Sequence, residues 1–296
     1  MRIYNSLTDK LEEFKPIKEG QVSMYVCGPT VYNYVHIGNM RPAITFDMVR
    51  NYLEYLGYKV TYASNFTDIN PKIIKAAEEL GITEREVANK FIAAYLKDLE
   101  DYQCGKIDIH PTVLENLDNI YTFIQELIKK GYAYEVDGDV YFRVSKIKDY
   151  GCLSNNTLDE LESGARLEID EKKEDPLDFA LWRKSTEGEH FTSPWGEGIP
   201  GWHTECVVMI NSIFGEKIDI HGGGVDLKFP HHENEIAQSM ALNNNHLANY
   251  WMHNGHINVE GVKMSKSLGN FILAKDFIKN SKANIVKLAM FKTHYR

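Results

Sequence analysis

The sequence predicts an α/β fold in which a parallel sheet is split by a mixed insertion. Three observations carry this. Residues 21–26 read as a strand, a turn with Gly28 and Gly38 follows, residues 40–56 have helical apolar spacing, and residues 59–66 alternate as a second strand. Strand, turn, helix and strand in so short a span make a βαβ unit, which joins parallel strands. The same alternation returns after Trp182, while the stretch near 100–200 mixes helices with a hairpin.

Each element has its own signal. In the first helix Ile44, Met48, Val49, Leu53 and Leu56 recur at helical spacing, and Gly57 stops it. Residues 72–102 and 113–131 read as helices, with charged faces over Ile, Leu and Ala stripes. Residues 132–144 read as a hairpin turning at Asp137-Gly138. Residues 154–178 are highly charged and poor in large apolar side chains, so they read as a loop or mobile excursion ended by Asp175-Pro176. Further on, residues 202–214 suit a helix and 217–221 a short strand running into Gly222-Gly223-Gly224. Residues 231–242 suit a helix behind Pro230, 250–259 are extended, and 276–290 are helical again.

Composition narrows the function. A chain of 296 residues suggests about two domains. With 43% hydrophobic and 25% charged residues it is globular rather than disordered or fibrous. Its formal net charge of -9 argues against a general nucleic-acid coat, which neutralises phosphates with many cations; a local basic patch remains compatible. No run approaches the ~20 apolar residues of a membrane span, and no apolar run follows Arg2, so neither a span nor a secretory leader is expected. Cys27, Cys104, Cys152 and Cys206 form no C-x-x-C pair. Reduced thiols in a cytoplasm are the expectation, and any chemistry at these cysteines must be assembled by the fold.

Four segments carry candidate chemistry. Pro29 to Asn39 follows a strand and opens a helix, where amide groups attract anions, Gly38 admits a ligand close to the backbone and His36 can donate to a phosphate. The same turn also reads as a plain strand-to-helix connection with a buried histidine. Lys263-Met264-Ser265-Lys266-Ser267, bounded by Gly261 and Gly269, can wrap a polyphosphate with its two ammonium groups, or be a solvated surface turn. His231 and Glu235 are four apart and share a helix face, as a surface pair or as two ligands of one metal. Gly224 and Asp226, after a strand, suit a ligand's ribose. Trp202, His203 and Cys206 open a helix and can line a small polar pocket, unless Cys206 is simply a buried small hydrophobe.

Taken together these segments resemble class I aminoacyl-tRNA synthetases. Pro29 to Asn39 looks like the H-I-G-H element, here His-Ile-Gly-Asn, and Lys263 to Ser267 matches the K-M-S-K-S element letter for letter. Cys27 to Tyr32, Gly201 to Cys206 and His221 to Glu235 resemble the cysteine-specific members. The resemblance implies a Rossmann-like catalytic domain in two halves, residues 1–110 and 201–260. Between them it implies a connective insertion over 111–200, and after them the second signature and the start of a helical linker over 261–296. It implies that Cys27, Cys206, His231 and Glu235 bind one Zn²⁺, a donor set that suits the metal. It places Cys27, Thr67, Trp202 and His203 near the substrate cysteine. It places His36, Asn39, Lys263 and Lys266 in the catalytic site, and Gly38, Gly224, Asp226 and Lys266 on the nucleotide.

The implied reaction activates cysteine with ATP and Mg²⁺ and passes it to the acceptor end of the matching tRNA, in a monomeric enzyme. Asn39 departs from the element's final histidine, so it can donate a hydrogen bond but carry no charge. The family's helical anticodon-reading region is missing after Arg296, so the chain is expected to be a catalytic portion that forms the adenylate and charges tRNA weakly. Two alternatives share the signatures: a cysteine ligase of mycothiol synthesis, with an amino-sugar acceptor, and a non-catalytic tRNA-binding fragment. Cys104 and Cys152 are given no role.

Overall fold

In the computed structural model the described residues are 1–105, 107–155, 170–259, 262–263 and 271–296. They divide into two units. The first comprises Met1–Phe14, Pro111–Asp219 and Leu227–Trp251, and the second Lys15–His110, Ile220–Asp226 and Met252–Arg296.

The chain begins in the first unit with an antiparallel pair, β1 (Arg2–Asn5) and β2 (Lys10–Glu13). It then builds most of the second unit: β3 (Gln21–Val26), α1 (Ile37–Tyr55), β4 (Lys59–Ala63), α2 (Pro71–Leu80) and α3 (Glu84–Asp101). β3 and β4 pair in parallel, with Gln21 opposite Lys59, so the βαβ reading holds. α1 starts at Ile37, earlier than the apolar period alone indicates, and buries Met40, Ile44, Phe46, Val49 and Leu53.

The run over 72–102 is two helices rather than one. Gly81 has φ +64, a left-handed conformation that glycine adopts without strain, and it closes α2. Thr83 then caps α3. Its hydroxyl accepts from the Glu86 N–H at 3.3 Å, and the Glu86 carboxylate accepts from the Thr83 N–H at 2.8 Å.

Asp98 of α3 is 3% exposed. Burial, together with the charge on Asp101, pushes its carboxyl from 3.8 up to about 6, against the pull of Lys275 and Lys97. A folded-state value above the unfolded one destabilises the protein once the group ionises. The effect is absent below 3.8 and complete above about 6, and a gap of that size corresponds to about 3 kcal/mol at most. Asp98→Asn is therefore expected to raise the melting temperature at neutral pH and to remove this group's loss of stability between pH 3.8 and about 6. Thermal melts across that range check it, and a lower melting temperature at neutral pH contradicts it.

The chain returns to the first unit with α4 (Leu117–Lys129), which buries Ile120, Phe123, Ile124 and Leu127 at helical spacing. A five-stranded antiparallel sheet follows: β5 (Ala133–Val136), β6 (Asp139–Phe142), β7 (Phe179–Lys184), β8 (Phe191–Ser193) and β9 (Gly196–Pro200), in the order β5-β6-β7-β9-β8. The predicted hairpin is β5-β6. Its turn has Asp137 at φ 53 and Gly138 at φ 89, as a two-residue turn with both φ values positive requires.

Part of the charged excursion, residues 156–169, lies outside the described residues. The remainder is a docked loop. Tyr141 donates to Asp170 at 2.5 Å, Tyr134 to Asp178 at 2.8 Å, and Arg143 grips Glu174 with two bonds of 2.7 and 2.8 Å.

α5 (Trp202–Phe214) leads into β10 (Ile218–Gly224), then α6 (Glu233–Asn243) and β11 (Ala248–Asn254). β10 pairs in parallel with β3, Ile220 opposite Met24, and the sheet order is β11-β10-β3-β4. A short pair, β12 (Asn258–Val259) and β13 (Val262–Lys263), runs into the first residue of the second signature. The final helical stretch is two pieces, α7 (Ala274–Phe277) and α8 (Ala283–Phe291), separated where Ser281 is extended. The second unit's core joins α1, α2, α3 and these last helices through Met40, Ile44, Val87, Phe91, Tyr102, Ala274 and Val286.

Candidate functional site

The first unit brings together five of the residues singled out in the sequence. Gly201 caps α5, where a Cβ would lie 1.9 Å from the Ala180 carbonyl oxygen, so only glycine lets the helix begin against β7. One turn further on, Cys206 is 2% exposed. Across from it the turn Lys228–His232 feeds α6, and the predicted i,i+4 pair forms, with His231 Nε2 2.9 Å from Glu235 Oε1. Donor atoms of Cys206, His231 and Glu235 all lie within 4.8 Å of one another, and all three residues are buried.

This grouping is a stronger statement than a surface pair. Burial by itself would lower the His231 pKa. The Glu235 carboxylate and the hydrogen bond and charge of Cys206 outweigh it and push the imidazole up to about 10. Two anion-forming groups thus face one imidazole away from water and hold a proton among them. A buried place that draws a cation and offers sulfur, nitrogen and oxygen donors fits a metal ion, whose binding would release that proton.

Two further side chains orient the imidazole. The indole of Trp202 stacks on His231 with centroids 4.3 Å apart. Beside both rings, His203 Nδ1 lies 3.1 Å from His231 Nδ1. Burial first, and then the neighbouring His231, hold His203 down to about 3. His203 is therefore neutral, and with the proton assigned to His231 Nδ1 it accepts. Such an outer partner fixes which nitrogen of a ligating histidine is free.

The second unit holds Cys27, Thr67, Gly224 and Asp226 at or just past the carboxyl ends of its strands. The N–H of Cys27, just past β3, donates to the Gly222 carbonyl at 3.1 Å. At Gly28 a Cβ would fall 1.8 Å from the Asn65 carbonyl oxygen, and the Gly28 N–H donates to Asn65 Oδ1 at 2.9 Å. Thr67 is buried beside the same turn. It donates its N–H to Pro29 and accepts from Val31, both at 3.2 Å.

His36 caps α1, and the Asn39 side-chain oxygen accepts from its N–H at 3.2 Å. A Cβ at Gly38 would lie 2.8 Å from His36 Nδ1, so glycine makes room for an imidazole folded over the helix N-terminus. After β10, Asp226 Oδ1 would sit 2.5 Å from a Cβ at Gly224. Residues that follow the second signature return to this helix start. Ile37 donates to the Ile272 carbonyl at 2.9 Å, and Ala274 to that of Val35 at 3.0 Å. Lys263 pairs through its backbone with Asn258, whereas Lys266 and the rest of the signature lie outside the described residues. Among the described residues, no helix is long and apolar enough to cross a membrane.

The sequence reading did not anticipate Glu233, Asn234 and Gln238 of α6, each at most 2% exposed and hydrogen-bonded. Several of their partners are backbone groups of other segments, which leave no mark in a spacing pattern.

The parallel sheet with its nucleotide-type turn, split by an antiparallel insertion, is the class I synthetase fold. Methionyl-tRNA synthetase of Mycobacterium tuberculosis, solved with methionyl-adenylate, matches it with a TM-score of 0.67 at 14% identity, over 89% of this chain and 62% of that one. The chain belongs to the family described as tRNA synthetases class I (C) catalytic domain, whose model matches residues 13–296. Curated relatives include cysteine–tRNA ligases of Anoxybacillus flavithermus, 57% identical over 297 residues, and of Bacillus velezensis, 58% identical over 295. The match takes in 100% and 99% of this chain but only 64% and 63% of those relatives, so the chain spans less than two thirds of their length.

Proposed function

We propose that this chain carries the catalytic portion of a cysteine–tRNA ligase, which activates cysteine with ATP and transfers it to the 3′ end of the matching tRNA in the cytoplasm. The observation that carries this is the buried Cys206–His231–Glu235 donor group on a class I synthetase fold. Cys27 is the fourth ligand implied by the resemblance, and two thiols, an imidazole and a carboxylate suit zinc. When bound, zinc supplies a soft Lewis acid that holds a substrate thiolate.

Selection then rests on ligand softness. Serine differs from cysteine by one atom, and a pocket judging shape alone separates near-isosteres poorly. A hydroxyl does not ionise as a thiol does, so it is a poor ligand at such a centre. Trp202 and His203 hold His231 in place, and Thr67 belongs to the turn that carries Cys27.

For activation, the substrate carboxylate attacks the α-phosphorus of ATP. A bond forms from carboxylate oxygen to phosphorus, and pyrophosphate leaves with the electrons of the broken P–O bond. The protein's part is positioning and neutralising charge. At the helix start of His36, Gly38 and Asn39 the positive end of the helix favours phosphate, Gly38 lets it approach the backbone, and the His36 imidazole donates to it. Lys263 and Lys266 neutralise the triphosphate with Mg²⁺, while Gly224 and Asp226 take the ribose.

An amino-sugar acceptor would leave this first step unchanged. The names and identity of the curated relatives favour tRNA over that acceptor. ATP–pyrophosphate exchange on the zinc-loaded chain is expected with cysteine and to be lower by at least about 10³-fold with serine, a margin beyond the roughly 10–200-fold that shape recognition supplies. Absence of cysteine-dependent exchange overturns the activity.

A further inference from the structure

Glu233 opens α6 between the ligands His231, in the preceding turn, and Glu235, yet plays no part in the centre described above. It is 1% exposed. At about 100° per residue it projects from the side of the helix away from His231 and Glu235. There its carboxylate is held by a loop of the same unit. Oε1 accepts from the Gly151 N–H at 3.0 Å, and Oε2 from those of Leu153 at 3.1 Å and Ser154 at 2.8 Å. The Cys152 Sγ is 3.6 Å from Oε1. Next to it, Asn234 Oδ1 accepts from the Tyr150 hydroxyl at 2.5 Å.

A carboxylate ringed by main-chain N–H groups is an anion in a backbone nest. These bonds are charge-assisted, and their donors belong to one short stretch of chain, so they fix the first turn of the helix in rotation as well as in position. Rotation of that turn is what decides whether His231 and Glu235 can meet Cys206.

We propose that Glu233 is a positioning residue for the metal centre, its carboxylate locked in the 151–154 amides so that His231 and Glu235 are presented together. The proposal rests on the metal reading above. Glutamine at this position keeps the size but puts an NH₂ group in place of one carboxylate oxygen, so the N–H donors on that side are left unpaired and the turn is held less firmly.

The test measures zinc affinity of the full chain by chelator competition, together with the visible spectrum of the Co²⁺-loaded protein. Glu233→Gln is expected to bind zinc about 10–100-fold more weakly, the usual effect of losing an outer partner, and to alter the Co²⁺ ligand-field bands. Tyr134→Phe loses a buried bond to Asp178 in the same unit, away from the ligand helix, and serves as the control for general destabilisation. It should keep wild-type affinity and spectrum. Glu233→Asp, which retains the charge, carries the test if the glutamine variant does not fold, and should fall between wild type and glutamine. Wild-type affinity and spectrum in the Glu233 variant overturn the proposal, as does equal weakening in Tyr134→Phe. Failure of the wild-type chain itself to bind zinc overturns the metal reading instead.

Discussion

Cys206→Ser is expected to cost zinc affinity by at least about 10²-fold and to abolish the preference for cysteine over serine, while leaving the fold intact. Loss of an outer partner alone costs about 10–100-fold, and this change removes a ligand. The substitution is nearly isosteric, and Cys206 sits in the buried body of α5 among Val207, Val208 and Met209, so packing is little disturbed. What changes is softness: a hydroxyl oxygen replaces one of two proposed sulfur ligands and does not ionise as a thiol does. The remaining set of one thiol, one imidazole and one carboxylate is a weaker host for zinc. Metal content after dialysis and exchange rates with both amino acids check this. A variant that keeps stoichiometric zinc and full discrimination contradicts the ligand assignment.

Lys266→Ala is expected to act on the other half of the reaction. Its ammonium group is assigned to the triphosphate, where negative charge shifts onto the departing pyrophosphate. Removing one preorganised group that stabilises such charge costs about 10²–10³ in kcat. Cysteine KM and zinc content should not move, because neither depends on that charge. The split is the informative part. A fall in cysteine affinity with kcat unchanged, or a change in kcat of no more than a few-fold, contradicts the assignment. Together the two variants separate choice of amino acid from activation of ATP.

Legibility in the sequence followed the range of the interaction involved. The βαβ unit was readable because period and punctuation are local: β3, the turn and α1 announce themselves within one short segment. So was the Asp137-Gly138 turn, whose positive φ values favour those residue types. Gly81 was not read as a break, since the apolar helical spacing continues on both sides of it and only the backbone angle marks the end of α2. The β8-β9 pair escaped because its short strands hold Trp195-adjacent, Gly- and Pro-containing sequence with no clear alternation.

The same distinction runs through the site. The His231–Glu235 pair was visible from spacing alone. Cys206 joined it only by family resemblance, because helices α5 and α6 meet through tertiary packing. Glu233 left no signal, since its partners at 151, 153 and 154 are amides that every residue other than proline possesses.

X-ray absorption at the zinc edge, with and without cysteine, tests the central claim most directly. The account predicts two sulfur ligands in the free protein, from Cys27 and Cys206, and a third on adding cysteine but not on adding serine. An unchanged sulfur count when cysteine binds contradicts it.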